Sequence, residues 1–195
     1  MDSANLFASF FERNLQKEQI IISPAIEIKF FSRPKILKKT TNLIFTSSNG
    51  VKAAGQAVNN NIGAICVGDR TTSLASSLGY SAEKYGDNVE QLIKKLCLSK
   101  KIEGDILHIR GKYTKVDLMN RLREAGFLCH EWEGYDQIAK NLSFQALNAF
   151  KNGEKIILPI FSERSGRLLK DQIPNFDKCH IIAISSAVAN VFLDV

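Results

Sequence analysis

The stretch Leu43-Ile44-Phe45-Thr46-Ser47-Ser48-Asn49-Gly50 joins a short apolar segment to small polar residues. Such an apolar run favours a buried strand, and the serines that follow it are typical of the first position of a helix. A helix that begins in this way presents unpaired backbone N–H groups and the positive end of its dipole. The stretch therefore predicts a strand–helix junction that suits a negatively charged ligand.

Three further stretches of the chain repeat this strand–helix pattern. They are Ala64-Ile65-Cys66-Val67 before Gly68-Asp69-Arg70-Thr71-Thr72, Ile156-Ile157-Leu158-Pro159-Ile160-Phe161 before Ser162-Glu163-Arg164-Ser165-Gly166, and Ile181-Ile182-Ala183-Ile184 before Ser185-Ser186. The first two junctions are close together in the chain, and so are the last two. Each pair predicts an α/β unit, and we expect the two units to face each other across a ligand-binding cleft.

The composition allows one large domain or two small ones, since 45% of the 195 residues are hydrophobic. No run approaches the roughly 20 apolar residues of a membrane-spanning helix. The opening residues Met1-Asp2-Ser3-Ala4-Asn5 lack the basic segment of a signal peptide, so we expect the protein in the cytoplasm. The net charge of +6 favours acidic small molecules as ligands. Nucleic acid is not expected, because no aromatic residues are interleaved with the lysines.

Cysteines and histidines give no sign of a metal centre. The four cysteines show no C-x-x-C spacing, and three of them lie in apolar runs, which predicts buried free thiols. The three histidines are scattered, without the spacing of metal ligands. We therefore expect no metal and no disulfide framework.

Predicted strands and helices alternate along the chain, which favours parallel β-sheets with helical connections. Residues 89–97, for example, carry apolar side chains at the spacing of one helix face. Two extended segments bracket the middle of the chain and are candidates for a hinge of two strands. We predict inter-lobe linkers at residues 25–31 and 129–138, a central lobe at residues 32–128, and a discontinuous lobe formed by residues 1–24 and 139–195.

Taken in order, these motifs resemble the uroporphyrinogen-III synthase family of tetrapyrrole biosynthesis. The likeness spans nearly the whole chain, and the ordered set is more specific than any single motif. It includes Ser23-Pro24-Ala25-Ile26-Glu27-Ile28, the stretch from Leu43 to Val51, Val67-Gly68-Asp69-Arg70-Thr71-Thr72 with Leu74 and Gly79, Ile106-Leu107-His108-Ile109-Arg110-Gly111, Leu122 with Gly126, Tyr135, Phe161-Ser162 and Ile182-Ala183-Ile184-Ser185.

The resemblance implies an α/β protein with two parallel-sheet lobes, Rossmann- or flavodoxin-like, joined by a two-stranded hinge. It implies a monomeric lyase that cyclises hydroxymethylbilane to uroporphyrinogen III, with inversion of ring D and loss of water. No metal or organic cofactor is implied, because the chemistry asks the protein to hold the linear substrate in a productive curl and to stabilise transient charge. The polycarboxylate substrate agrees with the anion-binding junctions inferred from the residues themselves.

Carried over residue by residue, the resemblance makes Tyr135 the candidate catalytic residue, because its phenol can donate a hydrogen bond to the departing hydroxyl. A tyrosine that only packs at the hinge is the alternative. The candidate substrate-binding residues are Ser47, Ser48, Gly68, Thr71, Thr72, Arg110, Gly111, Ser162, Ser165, Ser185 and Ser186. The alternative for the hydroxyl residues is helix capping, and for Arg110 it is bracing of a neighbouring loop.

The chain also departs from the family pattern. It lacks the family's opening strand and its final strand and helix, so it resembles a member shortened at both ends. Ser185-Ser186-Ala187-Val188 stands where Gly-Pro-Thr-Thr is common, and Glu163 replaces a usual proline. These departures keep open a second function, a non-catalytic two-lobed protein that binds an acidic small molecule. A flavodoxin-like regulator is a third reading, which the lack of an acidic cluster or flavin-phosphate loop disfavours.

Overall fold

A computed structural model describes residues 3–12, 20–35, 40, 42–57, 61–99, 102–114 and 117–193. Its strands are β1 (Ile26–Phe30), β2 (Asn42–Phe45), β3 (Gly63–Val67), β4 (Ser81–Gly86), β5 (Ile106–Gly111), β6 (Cys129–Ala139), β7 (Ile156–Ile160) and β8 (Cys179–Ala183). Its helices are α1 (Ser3–Glu12), α2 (Ser48–Ala54), α3 (Asp69–Ser77), α4 (Val89–Ser99), α5 (Leu118–Glu124), α6 (Phe144–Lys151), α7 (Glu163–Lys170) and α8 (Ser186–Ala189), the last followed by the 3₁₀ turn Asn190–Phe192. Among the described residues, no helix has the length and apolar character that a membrane span requires.

The chain divides into two compact units. The central unit consists of Ile28–Gln137, and the terminal unit combines Met1–Glu27 with Ile138–Val195.

A six-stranded sheet with the order β1-β6-β5-β2-β3-β4 organises the central unit. Strands β2 to β6 run parallel, and β2 pairs with β3 on one side and with β5 on the other. The segment predicted as the second linker is strand β6, which pairs with β5 from Cys129 to Tyr135. The predicted α/β class with parallel strands is confirmed.

Helices cover both faces of this sheet, because its central strands are apolar on both sides. Helices α2 and α3 pack on one face, with Val51, Ala54 and Ala75 in a core that also holds Leu43 and Phe45. On the opposite face, α4 and α5 pack over a second core that contains Ile44 and Ile106. Helix α4 buries Leu92, Ile93 and Leu96, as the periodicity of residues 89–97 predicts, whereas Cys97 at the end of that pattern is exposed.

The ends of α5 show how local sequence sets its length. Asp117 accepts a hydrogen bond from the N–H of Asn120, which satisfies a donor of the first turn. At the other end Gly126 has a φ of 90°, a left-handed conformation that glycine adopts at little cost. Helix α5 therefore ends just before Gly126, with Ala125 as its C-cap.

The terminal unit contains the two-stranded parallel sheet β7-β8. Ile156 to Ile160 pair in register with Cys179 to Ala183. The core of the unit includes Ile160 of β7, Ala146 of α6, Leu169 of α7 and Val188 of α8. At the N-terminus, the α1 side chain Phe7 makes an edge-to-face contact with Phe161, at 5.9 Å between ring centroids.

Candidate active site

The chain reverses its winding direction at the two middle strands of the six-stranded sheet. From β2 it moves outward through β3 to β4, and it then returns to place β5 on the other side of β2. In open α/β sheets, ligands bind beyond the carboxyl ends of strands at such a switch point, because the connecting helices there diverge to opposite faces. The switch point is thus where β2 leads to Ser47 and where β5 ends at Gly111.

Ser47 and Tyr135 meet at this switch point, although 88 residues separate them in the chain. The Ser47 Oγ lies 2.9 Å from the Tyr135 Oη. Ser47 is also the N-cap of α2, where its Oγ accepts a hydrogen bond from the Gly50 N–H at 3.3 Å. Tyr135 is only 7% exposed. The candidate catalytic phenol is therefore held against the β2–α2 junction.

Glycine at position 111 makes room for the tyrosine ring. A Cβ atom at Gly111 would lie 2.8 Å from Tyr135 Cε2 and 2.9 Å from its Cζ, closer than such atoms approach in proteins. The Lys112 N–H donates to the Tyr135 carbonyl at 2.9 Å, so the backbones are joined at the same place. The register of β5 against β6 shifts between Arg110 and Gly111, and this irregularity sets Tyr135 opposite Gly111.

Arg110, a candidate ligand for substrate carboxylates, is engaged by acidic groups of the chain. Its Nε lies 3.3 Å from the Glu131 carboxylate, and its Nη2 lies 3.1 Å from that of Glu133. Its Nη1 donates to the carbonyl of Gly111 at 3.0 Å and to that of Lys112 at 3.3 Å. These contacts fit the loop-bracing alternative, and carboxylate binding by Arg110 stays a prediction.

Behind the switch point, His108 is buried in strand β5 with 3% exposure. Its Nε2 lies 3.3 Å from Thr46 Oγ1, and its Nδ1 has no hydrogen-bond partner within the described part of the chain. Burial, and secondarily the nearby Arg110 charge, lowers the pKa of His108 to about 4. The imidazole is therefore neutral at physiological pH, next to the residue that precedes Ser47.

The β3–α3 junction differs from the predicted serine- or threonine-capped form. Gly68 is the N-cap of α3, and it has no side chain with which to cap. Thr71 and Thr72 fall inside the first turns of the helix; Thr71 is buried, and the Thr72 hydroxyl donates to the Gly68 carbonyl at 2.9 Å. The Gly68 N–H donates to the Gly86 carbonyl at 2.8 Å. Capping by the threonines is wrong here, because the helix begins before them.

In the terminal unit, two serines cap helices at the ends of the parallel strands. Ser162 Oγ accepts from the Ser165 N–H at 3.1 Å and lies 2.8 Å from Ser165 Oγ. Ser185 Oγ accepts from the Val188 N–H at 3.4 Å. Ser185 and Ser186 are exposed, whereas Ser162 and Ser165 are half-buried. The predicted strand–helix junctions of this unit are confirmed as local structures.

Sequence reasoning singled out Arg110 but missed the roles of His108 and Glu131, which lie beside it on the second face of β5 and β6. His108, Arg110 and Glu131 share that face because side chains two residues apart in a strand point the same way and His108 is paired with Glu131. The signal was a histidine inside the apolar run Ile106-Leu107-His108-Ile109, where an imidazole must be buried.

Across the described ranges, His, Cys, Asp and Glu side chains form no group of three that could hold a metal ion.

The fold and the site define a class: an α/β protein whose parallel sheet has a switch point with a serine-capped helix start and a tyrosine hydroxyl. The family model described as uroporphyrinogen-III synthase HemD matches residues 13–194. The chain therefore belongs to the uroporphyrinogen-III synthase family. Its activity is that of a tetrapyrrole-biosynthesis lyase, which cyclises hydroxymethylbilane to uroporphyrinogen III with inversion of ring D and loss of water.

Solved structures agree on the fold. Uroporphyrinogen-III synthetase from Helicobacter pylori is 20% identical, with a TM-score of 0.65 over 85% of this chain and 78% of that one. A mutant uroporphyrinogen III synthase from the extremely thermophilic bacterium Thermus thermophilus is 13% identical, with a TM-score of 0.58 over 96% of this chain and 83% of that one. At these identities the likeness is one of fold. No curated protein sequence gives a significant match.

Proposed function

We propose that Tyr135 is the catalytic residue of the cyclisation and that its phenol donates a proton to the hydroxyl that leaves hydroxymethylbilane. The observation that supports this role is the position of Tyr135 Oη, 2.9 Å from Ser47 at the switch point between β2 and β5. Ligands of open α/β sheets bind at that point. A phenol is a suitable donor there because its O–H group can donate a hydrogen bond.

The reaction explains why one well-placed donor is enough. Protonation of the leaving hydroxyl releases water and gives a cationic azafulvene, which passes through a spiro-pyrrolenine before the ring closes. The protein has to start this step and hold the substrate curled until closure, because the open chain also closes spontaneously to the type I isomer. Placing the donor and the substrate together reduces the entropic cost of that step.

We propose that the strand–helix junctions bind the carboxylates of the substrate. In the central unit the proposed contacts are Ser47, Ser48, Gly68, Thr71, Thr72, Arg110 and Gly111. In the terminal unit they are Ser162, Ser165, Ser185 and Ser186. The serine-capped helix starts at Ser47, Ser162 and Ser185 support this assignment, since they bring backbone donors and hydroxyl groups to the ends of parallel strands.

Some members of this set have competing partners within the protein. Thr71 is buried, and Arg110 is shared between Glu131 and Glu133, so a carboxylate would have to compete with groups already in place. Ser48, Ser162 and Ser165 are half-buried, and Ser185 and Ser186 are exposed. These five residues are the strongest candidates for direct contact. The non-catalytic alternative is not favoured, because the family match extends across both units.

Replacing Tyr135 with Phe tests the catalytic role. The change keeps the ring that packs on Gly111 and removes only the hydroxyl. We expect the rate of type III formation to fall about 10²-fold, the usual scale for a placed proton donor, while type I product accumulates. The free energy of unfolding should change by at most about 1 kcal/mol, because one hydroxyl makes a small net contribution.

The assay is conversion of freshly prepared hydroxymethylbilane, with type I and type III products separated chromatographically. The matched control is Tyr80→Phe, because Tyr80 is also buried and donates its hydroxyl proton to the Gly55 carbonyl, away from the switch point. Full type III formation by a folded Tyr135→Phe variant would falsify the catalytic role.

We also propose that the protein works as a cytoplasmic monomer on a small-molecule substrate, without nucleic acid or membrane partners. Its four cysteines are free, and Cys66 and Cys129 are buried, which suits a reducing compartment. Each unit has a core formed by its own residues. Light scattering during gel filtration measures the molar mass directly, and a dimer would contradict the monomer proposal.

A further inference from the structure

We infer that Ser47 acts on the reaction through Tyr135: its hydroxyl donates a hydrogen bond to Tyr135 Oη and leaves the phenol proton directed at the departing group. Ser47 is then a positioning residue. The inference rests on the proposed catalytic role of Tyr135, and it gives Ser47 a function beyond binding a carboxylate.

The Ser47 hydroxyl keeps a proton to donate after it caps α2. A serine hydroxyl has one proton to donate and two lone pairs to accept with. One lone pair of Ser47 Oγ already faces the Gly50 N–H, at 3.3 Å, as the cap of α2. Accepting this bond polarises the hydroxyl and makes it a better donor. The nearest described partner for its proton is Tyr135 Oη, at 2.9 Å.

The bond between Ser47 and Tyr135 also affects proton transfer to the substrate. If Ser47 donates to Tyr135 Oη, the proton of the phenol cannot point back at Ser47 and is available to the substrate. As that proton leaves, negative charge grows on Oη in a place where Tyr135 is only 7% exposed. A hydrogen bond to a charged acceptor is roughly twice as strong as a neutral one. The Ser47 bond therefore stabilises the transition state more than the ground state.

Both side chains are held in place, as a positioning residue and its partner must be. Ser47 has an extended backbone, with φ −155° and ψ 155°, and its side chain is held by the cap. Tyr135 is fixed by the Gly111 backbone beneath its ring and by the Lys112 N–H on its carbonyl. These contacts fix the two side chains so that Ser47 Oγ and Tyr135 Oη stay within hydrogen-bond distance.

A double-mutant cycle tests the inference with Ser47→Ala, Tyr135→Phe and the double variant. We expect Ser47→Ala to lower kcat for type III formation about 10-fold to 100-fold, the range for a hydrogen bond to a charged group, in addition to any rise in KM from the loss of a carboxylate contact. Because Ser47 acts through the phenol, we expect the double variant to be no slower than Tyr135→Phe alone.

Two further variants separate this role from helix capping. Ser47→Thr retains both the hydroxyl and the cap and should recover most of the rate, whereas Ser47→Gly, which caps nearly as well as Ser, should stay slow. Ser143 is the matched control, because it caps α6 in the same way by accepting the Ala146 N–H at 3.2 Å. Ser143→Ala should lower stability and leave kcat unchanged.

The outcomes are distinguishable. Losses that multiply in the double variant, or a raised KM with kcat intact in Ser47→Ala, would assign Ser47 to direct substrate binding and overturn the inference while Tyr135 keeps its role. A Tyr135→Phe variant that is as fast as the wild type would remove the proposed function itself, and the inference with it. Equal activity of Ser47→Gly and Ser47→Thr would show that the hydroxyl has no catalytic effect.

Discussion

Protonation of His108 should make the stability of this protein fall steeply below neutral pH. The imidazole is 3% exposed, lies beside Thr46 and Arg110, and faces Glu131 across the β5–β6 pair. Its pKa in the folded state is lowered to about 4, mainly by burial, from 6.5 in the unfolded chain. Between these two values the unfolded chain binds a proton that the folded protein does not bind, so acid favours unfolding.

The size of the effect follows from the two pKa values. A difference of one pKa unit corresponds to about 1.4 kcal/mol, so the step from 6.5 to about 4 corresponds to roughly 3 kcal/mol in the free energy of unfolding. The stability contributed by the neutral buried imidazole is fully present above pH 6.5, and it is lost as the pH falls towards 4. At pH 5 we expect about 2 kcal/mol of the loss to have occurred, relative to pH 7.5.

Urea unfolding of the wild type and of His108→Gln at pH 7.5 and pH 5 measures this difference. Glutamine keeps an amide that can bond to Thr46 but does not titrate, so the variant should lose about 2 kcal/mol less between the two pH values. His180→Gln is the matched control, because His180 is exposed. If His108→Gln and the wild type lose the same stability on acidification, the buried neutral imidazole is not the cause and the reasoning fails.

Two further predictions concern packing and thiol chemistry. Gly111→Ala should place a Cβ 2.8 Å from the Tyr135 ring and displace the phenol. The overpacking should lower the free energy of unfolding by about 1–3 kcal/mol, and type III formation should drop with it. A variant of normal stability and rate would show that the ring moves freely. Burial raises the pKa of the Cys66 thiol to about 11. At pH 8 iodoacetamide should therefore label the exposed Cys97 first and should label Cys66 only in urea. Peptide mass spectrometry measures which cysteine is labelled. Early labelling of Cys66 in the native protein would contradict its burial.

The sequence predicted the secondary structure of the junctions well because their causes are local. An apolar run long enough for one buried strand, followed by a serine, is sufficient to predict β2 and the start of α2 at Ser47. The same holds for α7 after Ser162 and α8 after Ser185. The β3–α3 junction is the exception, because glycine rather than a hydroxyl residue occupies the cap and the threonines fall one turn into the helix.

The resemblance drawn from the sequence named the family and its fold, and the family match confirms both. It did so because the order of several weak motifs is specific even though each motif alone is common. It pointed to Tyr135, Ser47 and Gly111 as separate candidates. Nothing in the sequence indicated that Tyr135 contacts both Ser47 and Gly111.

Only the tertiary structure decided those contacts. Strand pairing sets β5 beside β2 and β6 beside β5, and the register shift at Gly111 turns Tyr135 towards Ser47, 88 residues away in the chain. The same pairing aligns Arg110 with Glu133 and leaves His108 buried without a partner for its Nδ1 among the described residues. Local sequence fixes which residues form a strand and where a helix begins, because those depend on near neighbours. Which side chains meet across the sheet depends on strand order and register, because these are set by the packing of the whole unit.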